Sequence, residues 1–149
     1  MKELLREEAR CKLIDEKVGL ISQDELVNWV DNKLLELNEA PDFLVSISLR
    51  ESLEYMPQLD LVKDRVTDND CPALAKRIMQ AYKAGKIGFD EIEMIALNLT
   101  QVLKGTDNCY LDFMWISDEL HLADCGVKEK DKSYEDVFSM LKKIGNYIK

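Results

Sequence analysis

Apolar residues recur along this chain at intervals of three and four rather than two, which predicts helix over nearly its whole length. Seven helical segments follow from the spacing. The first covers about Lys2 to Val18, with Leu5, Ala9 and Leu13 on one stripe and Gly19 as its stop. The second has the clearest start. Ser22 stands as N-cap with Glu25 three positions on, a capping box, and Ile21 and Leu26 are placed as a hydrophobic staple around it. Its core face is Leu26, Trp29, Val30, Leu34 and Leu37. Pro41 ends this helix or opens a short one containing Phe43, Leu44 and Ile47, and Pro57 closes the next short segment.

Asp70, with Pro72 in the first turn, starts a helix carrying Leu74, Ile78, Met79 and Tyr82, which Gly85 stops. Another runs from about Phe89 to Leu103 with Ile92, Ile95, Ala96, Leu99 and Leu103 on one face, and Gly105 ends it. Residues Cys109 to Cys125 are apolar nearly all round and read as a central helix. A buried strand over Tyr110 to Ile116 is the competing reading, because aromatic and branched residues favour strands. The last helix starts near Ser133 and buries Val137, Phe138, Leu141, Ile144 and Ile148.

The chain also echoes itself. Residues 17–37 align without gaps on residues 83–103; both begin K-x-G-x-I-x-x-D-E, and Asn32/Asn98 and Leu37/Leu103 match further on. Each copy spells helix, glycine stop, staple, cap, helix, the grammar of a tight antiparallel helical hairpin. Internal duplication accounts for the echo, and so do the requirements common to all such hairpins. The expected fold is all-α: one domain over residues 1–149, a bundle of six to seven helices built from helical hairpins.

Composition supports a folded core, since 46% of residues are hydrophobic and 33% charged. The longest apolar runs, such as Phe113 to Ile116, fall far short of the roughly 20 residues that cross a bilayer. The charged start, Met1 to Arg10, lacks the apolar core of a secretory signal, so a cytoplasmic location is expected. Cys11, Cys71, Cys109 and Cys125 lie far apart with no C-x-x-C pair, and are expected to be reduced and packed.

Net charge is −9, and six lysines against four acids in residues 126–149 leave −11 on residues 1–125. A body this acidic repels phosphate backbones and anionic lipid, so neither nucleic acid nor membrane is an expected partner. It favours cationic proteins.

Catalytic equipment is sparse. G-x-I-x-x-x-E after Gly19 and Gly85 imitates the second half of a calcium loop, but the first-half ligand positions fall on Ile14, Glu16 and Val18, and on Gln80, Tyr82 and Ala84. Those sets do not chelate calcium. Around Asp64, Asp68 and Asp70 the required glycine and terminal glutamate are missing, and no metal or cofactor is expected. His121 is the single histidine, with neither a G-x-S-x-G elbow nor a phosphate-binding glycine loop elsewhere in the chain. What remains is surface. Candidate partner-binding residues fall into three acidic clusters: Glu36, Glu39 and Asp42; Asp60, Asp64 and Asp68; and Asp112, Asp118 and Glu119 beside Trp115.

The run G-L-I-S-Q-D-E-L-V-N-W-V-D-N-K-L-L-E-L, followed by A-P-D-F-L-V-S-I-S-L, resembles a segment of the small all-helical immunity proteins of bacterial toxin systems, over about residues 16–49. Such proteins bind and block a cognate toxin in the cytosol, using surfaces that diverge between members, so the resemblance implies a class and assigns no residues. The function expected is a non-catalytic inhibitor of one basic protein, and the resemblance implies a cognate toxin as that partner. A helical adaptor or regulatory scaffold is the alternative, and a small enzyme a third.

Overall fold

Seven α-helices and one 3-10 turn make up the described residues, 2–49 and 66–147, of the computed structural model: α1 (Lys2–Val18), α2 (Gln23–Glu36), α3 (Asp42–Ser48), the turn Asp68–Asp70, α4 (Cys71–Lys83), α5 (Phe89–Val102), α6 (Asn108–Asp124) and α7 (Lys130–Gly145). The fold is all-α, with no strand among the described residues. Tyr110 to Ile116 is helical. Its buried neighbours on α6, Cys109, Phe113, Ile116, Leu120 and Ala123, recur at alternating steps of four and three, so one face of the helix is covered while Leu111 on another is 64% exposed. The helix is apolar nearly all round, as its sequence reads, but is covered on one face only.

Contacts divide the chain into two compact units, Met1–Lys17 with Ile21–Arg65, and Val18–Leu20 with Val66–Lys149. In the first unit, α1, α2 and α3 close on a cluster of Ala9, Leu13, Leu26, Val30, Phe43, Leu44 and Ile47, with Leu5, Ile21, Trp29, Leu34 and Leu37 packed half-buried against it. The capping box forms as its sequence predicts: the Glu25 N–H donates to Ser22 Oγ at 3.1 Å, and the Ser22 N–H to Glu25 Oε1 at 3.4 Å. α2 stops before the proline. Leu37 turns to extended geometry (φ −100°, ψ 142°), and Pro41 is the N-cap of α3. The proline also disfavours helix for Ala40 before it, which leaves Asn38 to Ala40 as a polar corner.

In the second unit α5 packs on α6, α6 on α7 and α7 on α4. Ile92, Ile95, Ala96 and Leu99 of α5 are all buried, with Leu103 beyond its end. Val137, Leu141 and Ile144 bury the matching face of α7. That helix begins at Lys130, earlier than the sequence suggests, because Ser133 does not cap it. Its hydroxyl is buried and bonded to Glu119. Ile148 lies outside the described residues.

The internal echo is kept in register. α2 and α5 have 14 residues each, and an offset of 66 separates their N-caps, Ser22 and Gly88, and their C-caps, Leu37 and Leu103. Gly19 (φ +90°) and Gly85 (φ +75°) both occupy the left-handed region that glycine enters at least cost, just past a helix end. The two turns then differ. At Gly85 the N–H groups of Gly85 and Lys86 return to the carbonyls of Tyr82 and Ala81, a Schellman closure, whereas beyond Gly19 the Ile21 N–H reaches back six residues to Asp15. Asn98 Nδ2 donates to the Val18 carbonyl at 2.8 Å, while its echo, Asn32, is exposed. Nor is the Gly85 turn a tight hairpin. α4 and α5 make their main contacts with α7 and α6, and the junction is filled by rings: Phe89 stacks on Tyr134 at 3.7 Å, and Tyr82 meets Phe138 edge-on at 4.8 Å.

Candidate functional site: an acid-rimmed apolar groove

The polar corner after α2 leaves a space that the short helix α3 does not fill. Within the first unit this becomes a groove of about 800 Å³ between the start of α1 and residues 33–41. Leu4, Leu5, Leu37, Ala40 and Pro41 supply its apolar lining, and Glu8, Lys33, Glu36, Asn38 and Glu39 its polar rim. Leu4 is 63% exposed, a large apolar side chain beside an opening. Three carboxylates against one ammonium leave the rim at −2. Lys33 Nζ stands between two of them, 3.6 Å from Glu8 and 3.8 Å from Glu36, and the same ammonium lies over the Trp29 ring, 5.9 Å from its centroid.

Of the sequence-nominated acids, Glu36 and Glu39 meet at this groove, and Asp42 is exposed nearby in chain, at the first position of α3. Glu8, Leu4 and Leu5 were not nominated. Their sequence signal is the adjacent pair Leu4-Leu5, of which Leu5 packs against the core cluster and Leu4 is left exposed.

The other clusters resolve differently. Asp60 and Asp64 lie outside the described residues. Asp68 is not a solvated surface acid: its two oxygens accept the N–H groups of Asn108 and Cys109, both at 2.9 Å, and so cap α6. The residue at the N-cap position, Asp107, instead turns its carboxylate to the Lys104 N–H at 2.8 Å. Asp112 accepts a hydrogen bond from the Tyr147 hydroxyl. Burial, followed by that bond and the charges of Asp112 and Asp68, pushes the Tyr147 hydroxyl up to about 12. Trp115 is half-buried and Asp118 exposed. Glu119 corrects the sequence reading most plainly. It is 4% exposed, bonded to Lys128 Nζ at 2.6 Å and to the Ser133 hydroxyl at 3.0 Å, and it joins α6 to α7 instead of facing a partner.

Cys71 and Cys109 are joined by a disulfide, which corrects the expectation of four reduced thiols; Cys11 and Cys125 are not disulfide-bonded. Spacing along the sequence carries no sign of the pairing. It arises because the Asp68 cap draws the starts of α4 and α6 together. Asp68, Cys71 and Cys109 bring potential metal-ligand atoms within 4.8 Å of one another, but the sulfurs are bonded to each other and the carboxylate holds two amides. His121 and Cys125 approach to 3.7 Å, one turn apart at the end of α6 in the second unit. Glu93 has a buried Oε1 without a hydrogen-bond partner, and burial, then the neighbouring Asp124, raises its carboxyl above the usual range.

No helix among the described residues is long and apolar enough to cross a membrane. No protein-family model, curated protein or solved structure matches the chain.

Proposed function

We propose that this protein is a non-catalytic inhibitor of the immunity type, which neutralises a toxin by holding one basic protein through the groove of its first unit, in the bacterial cytoplasm. The observation that carries the reading is the groove itself, an apolar lining open to solvent with carboxylates at its edge. An apolar centre inside a charged rim is the layout of protein interfaces: the rim sets approach and partner choice, and the centre sets lifetime. Residues 1–65 carry 15 acids against nine lysines and arginines, net −6, a field that speeds encounter with a cationic partner.

The test is affinity capture from the source cell with the wild-type chain and with Glu36→Lys/Glu39→Lys. Expected is one basic protein, held in equal stoichiometry by the wild type, released as salt rises and lost by the variant, whose cells also lose protection from it. A basic protein held equally by both chains would overturn the groove as the site, and several unrelated proteins would favour an adaptor. The Cys71–Cys109 disulfide opposes the cytoplasmic part of this reading, because a reducing cytoplasm rarely keeps such bonds; trapping thiols by alkylation in freshly lysed cells tests it, and a bond that persists there overturns the cytoplasmic setting.

A further inference from the structure

Lys33 is the cation among the residues that line the groove. Its ammonium bridges Glu8 and Glu36 at 3.6 and 3.8 Å with the side chain about 30% exposed, so the pair of carboxylates stays accessible to solvent. Two carboxylates converging on one point suit a guanidinium better than an ammonium, because its planar fork donates to both at once.

The mode of binding is narrowed by what surrounds the groove. A peptide that binds by strand addition needs a sheet edge, and no strand exists among the described residues. A polyproline segment needs an aromatic-lined groove, whereas Leu4, Leu5 and Leu37 line this one. An amphipathic helix matches: aliphatic residues at i and i+4 enter the apolar lining, and arginines on its flanks reach the rim.

Building on the groove as the binding site, we infer that the partner presents an arginine-bearing amphipathic helix, and that one of its guanidinium groups displaces Lys33 from between Glu8 and Glu36. Lys33 is thereby an internal placeholder that weakens binding of basic helices lacking a correctly placed arginine.

The test uses three fluorescent 18-residue helical peptides, leucine on one face and arginine, lysine or glutamate on the other, titrated by anisotropy at about 0.15 M salt, where fields are screened beyond roughly 8 Å. The arginine peptide should bind tighter than the lysine peptide, and the glutamate peptide should not bind. Lys33→Met, which removes the ammonium and keeps an unbranched apolar side chain, should tighten the arginine peptide about three- to tenfold, the size of two half-exposed ion pairs. Lys17→Met, an exposed lysine outside the groove, should change it less than about 1.5-fold. In a Glu8→Gln/Glu36→Gln background the Lys33→Met gain should vanish.

If the peptide binds and amide shifts map to residues 4–8 and 33–41, but Lys33→Met leaves affinity unchanged or lowers it, the placeholder is overturned while the groove stands. If no basic peptide binds, or the shifts map elsewhere, the groove reading falls and the placeholder with it. Peptide binding competed away by self-association of the chain would make a second copy the occupant and overturn the choice of partner.

Discussion

Replacing Glu119 with alanine separates a structural carboxylate from a recognition carboxylate. The side chain is 4% exposed and accepts from the Ser133 hydroxyl, itself 1% exposed. Truncation strands that hydroxyl without an acceptor, which costs about 1–3 kcal/mol. Removing a buried methylene adds about 0.8 kcal/mol. Lys128 contributes little to the loss, because at 44% exposure its ammonium regains water, and the buried carboxylate's own desolvation cost is relieved. The net expectation is about 2–3 kcal/mol for Glu119→Ala and about 1 kcal/mol for Glu119→Gln, whose amide oxygen still accepts from Ser133. With a urea dependence near 2 kcal/mol per molar, the alanine variant should shift the unfolding midpoint down by about 1–1.5 M at unchanged slope. Affinity for a groove-bound partner should stay at the wild-type value. A midpoint within about 0.3 M of wild type, or a binding loss without a stability loss, would refute the buried placement of Glu119.

Asp68→Ala should destabilise by about 1–3 kcal/mol and increase amide exchange at Asn108 and Cys109, since it uncaps α6; unchanged exchange there would contradict the cap. The Tyr147 hydroxyl is raised to about 12, so its neutral form favours the fold, and the stability it supplies is present below pH 10 and lost as pH rises from 10 towards 12. Tyr147→Phe should abolish that part of the alkaline loss in melts followed by circular dichroism, and an unchanged profile would refute it. The Glu93 carboxyl is likewise raised, so its contribution is fully present below the usual carboxylate range and lost as pH rises through its folded value; Glu93→Gln should leave the protein more stable at pH 7 and less dependent on pH above about 4.5. Non-reduced protein in denaturant should show two thiols to Ellman's reagent and four after reduction, and four without reduction would contradict the Cys71–Cys109 bond.

What was legible in the sequence was local. The Ser22–Glu25 box, the Gly19 and Gly85 stops and the face of α5 all form as their spacing predicts, because each depends on neighbours within a turn or two. What spacing does not carry is which turn meets which. Asp68 reads as a charged surface residue until α6 is placed against it, 40 residues later. Glu119 is on the buried face of its helix, yet a carboxylate there is unexpected without Lys128 and Ser133 beside it. The disulfide has the same origin. At the groove, Glu36 and Glu39 were visible as acids, but the apolar lining joins the second turn-end of α2 to the first turn of α1, more than 25 residues apart in the chain. The echo shows the limit from the other side: identical local grammar built two matching helices, while Asn98 took a partner in Val18 and Asn32 remained exposed.

Hydrogen exchange on the purified complex with the captured basic partner tests the central claim most directly. The groove account predicts slowed exchange concentrated at residues 4–8 and 33–41, with α5 and α7 exchanging as in the free protein. Protection confined to the second unit, with the groove segments unchanged, would contradict it.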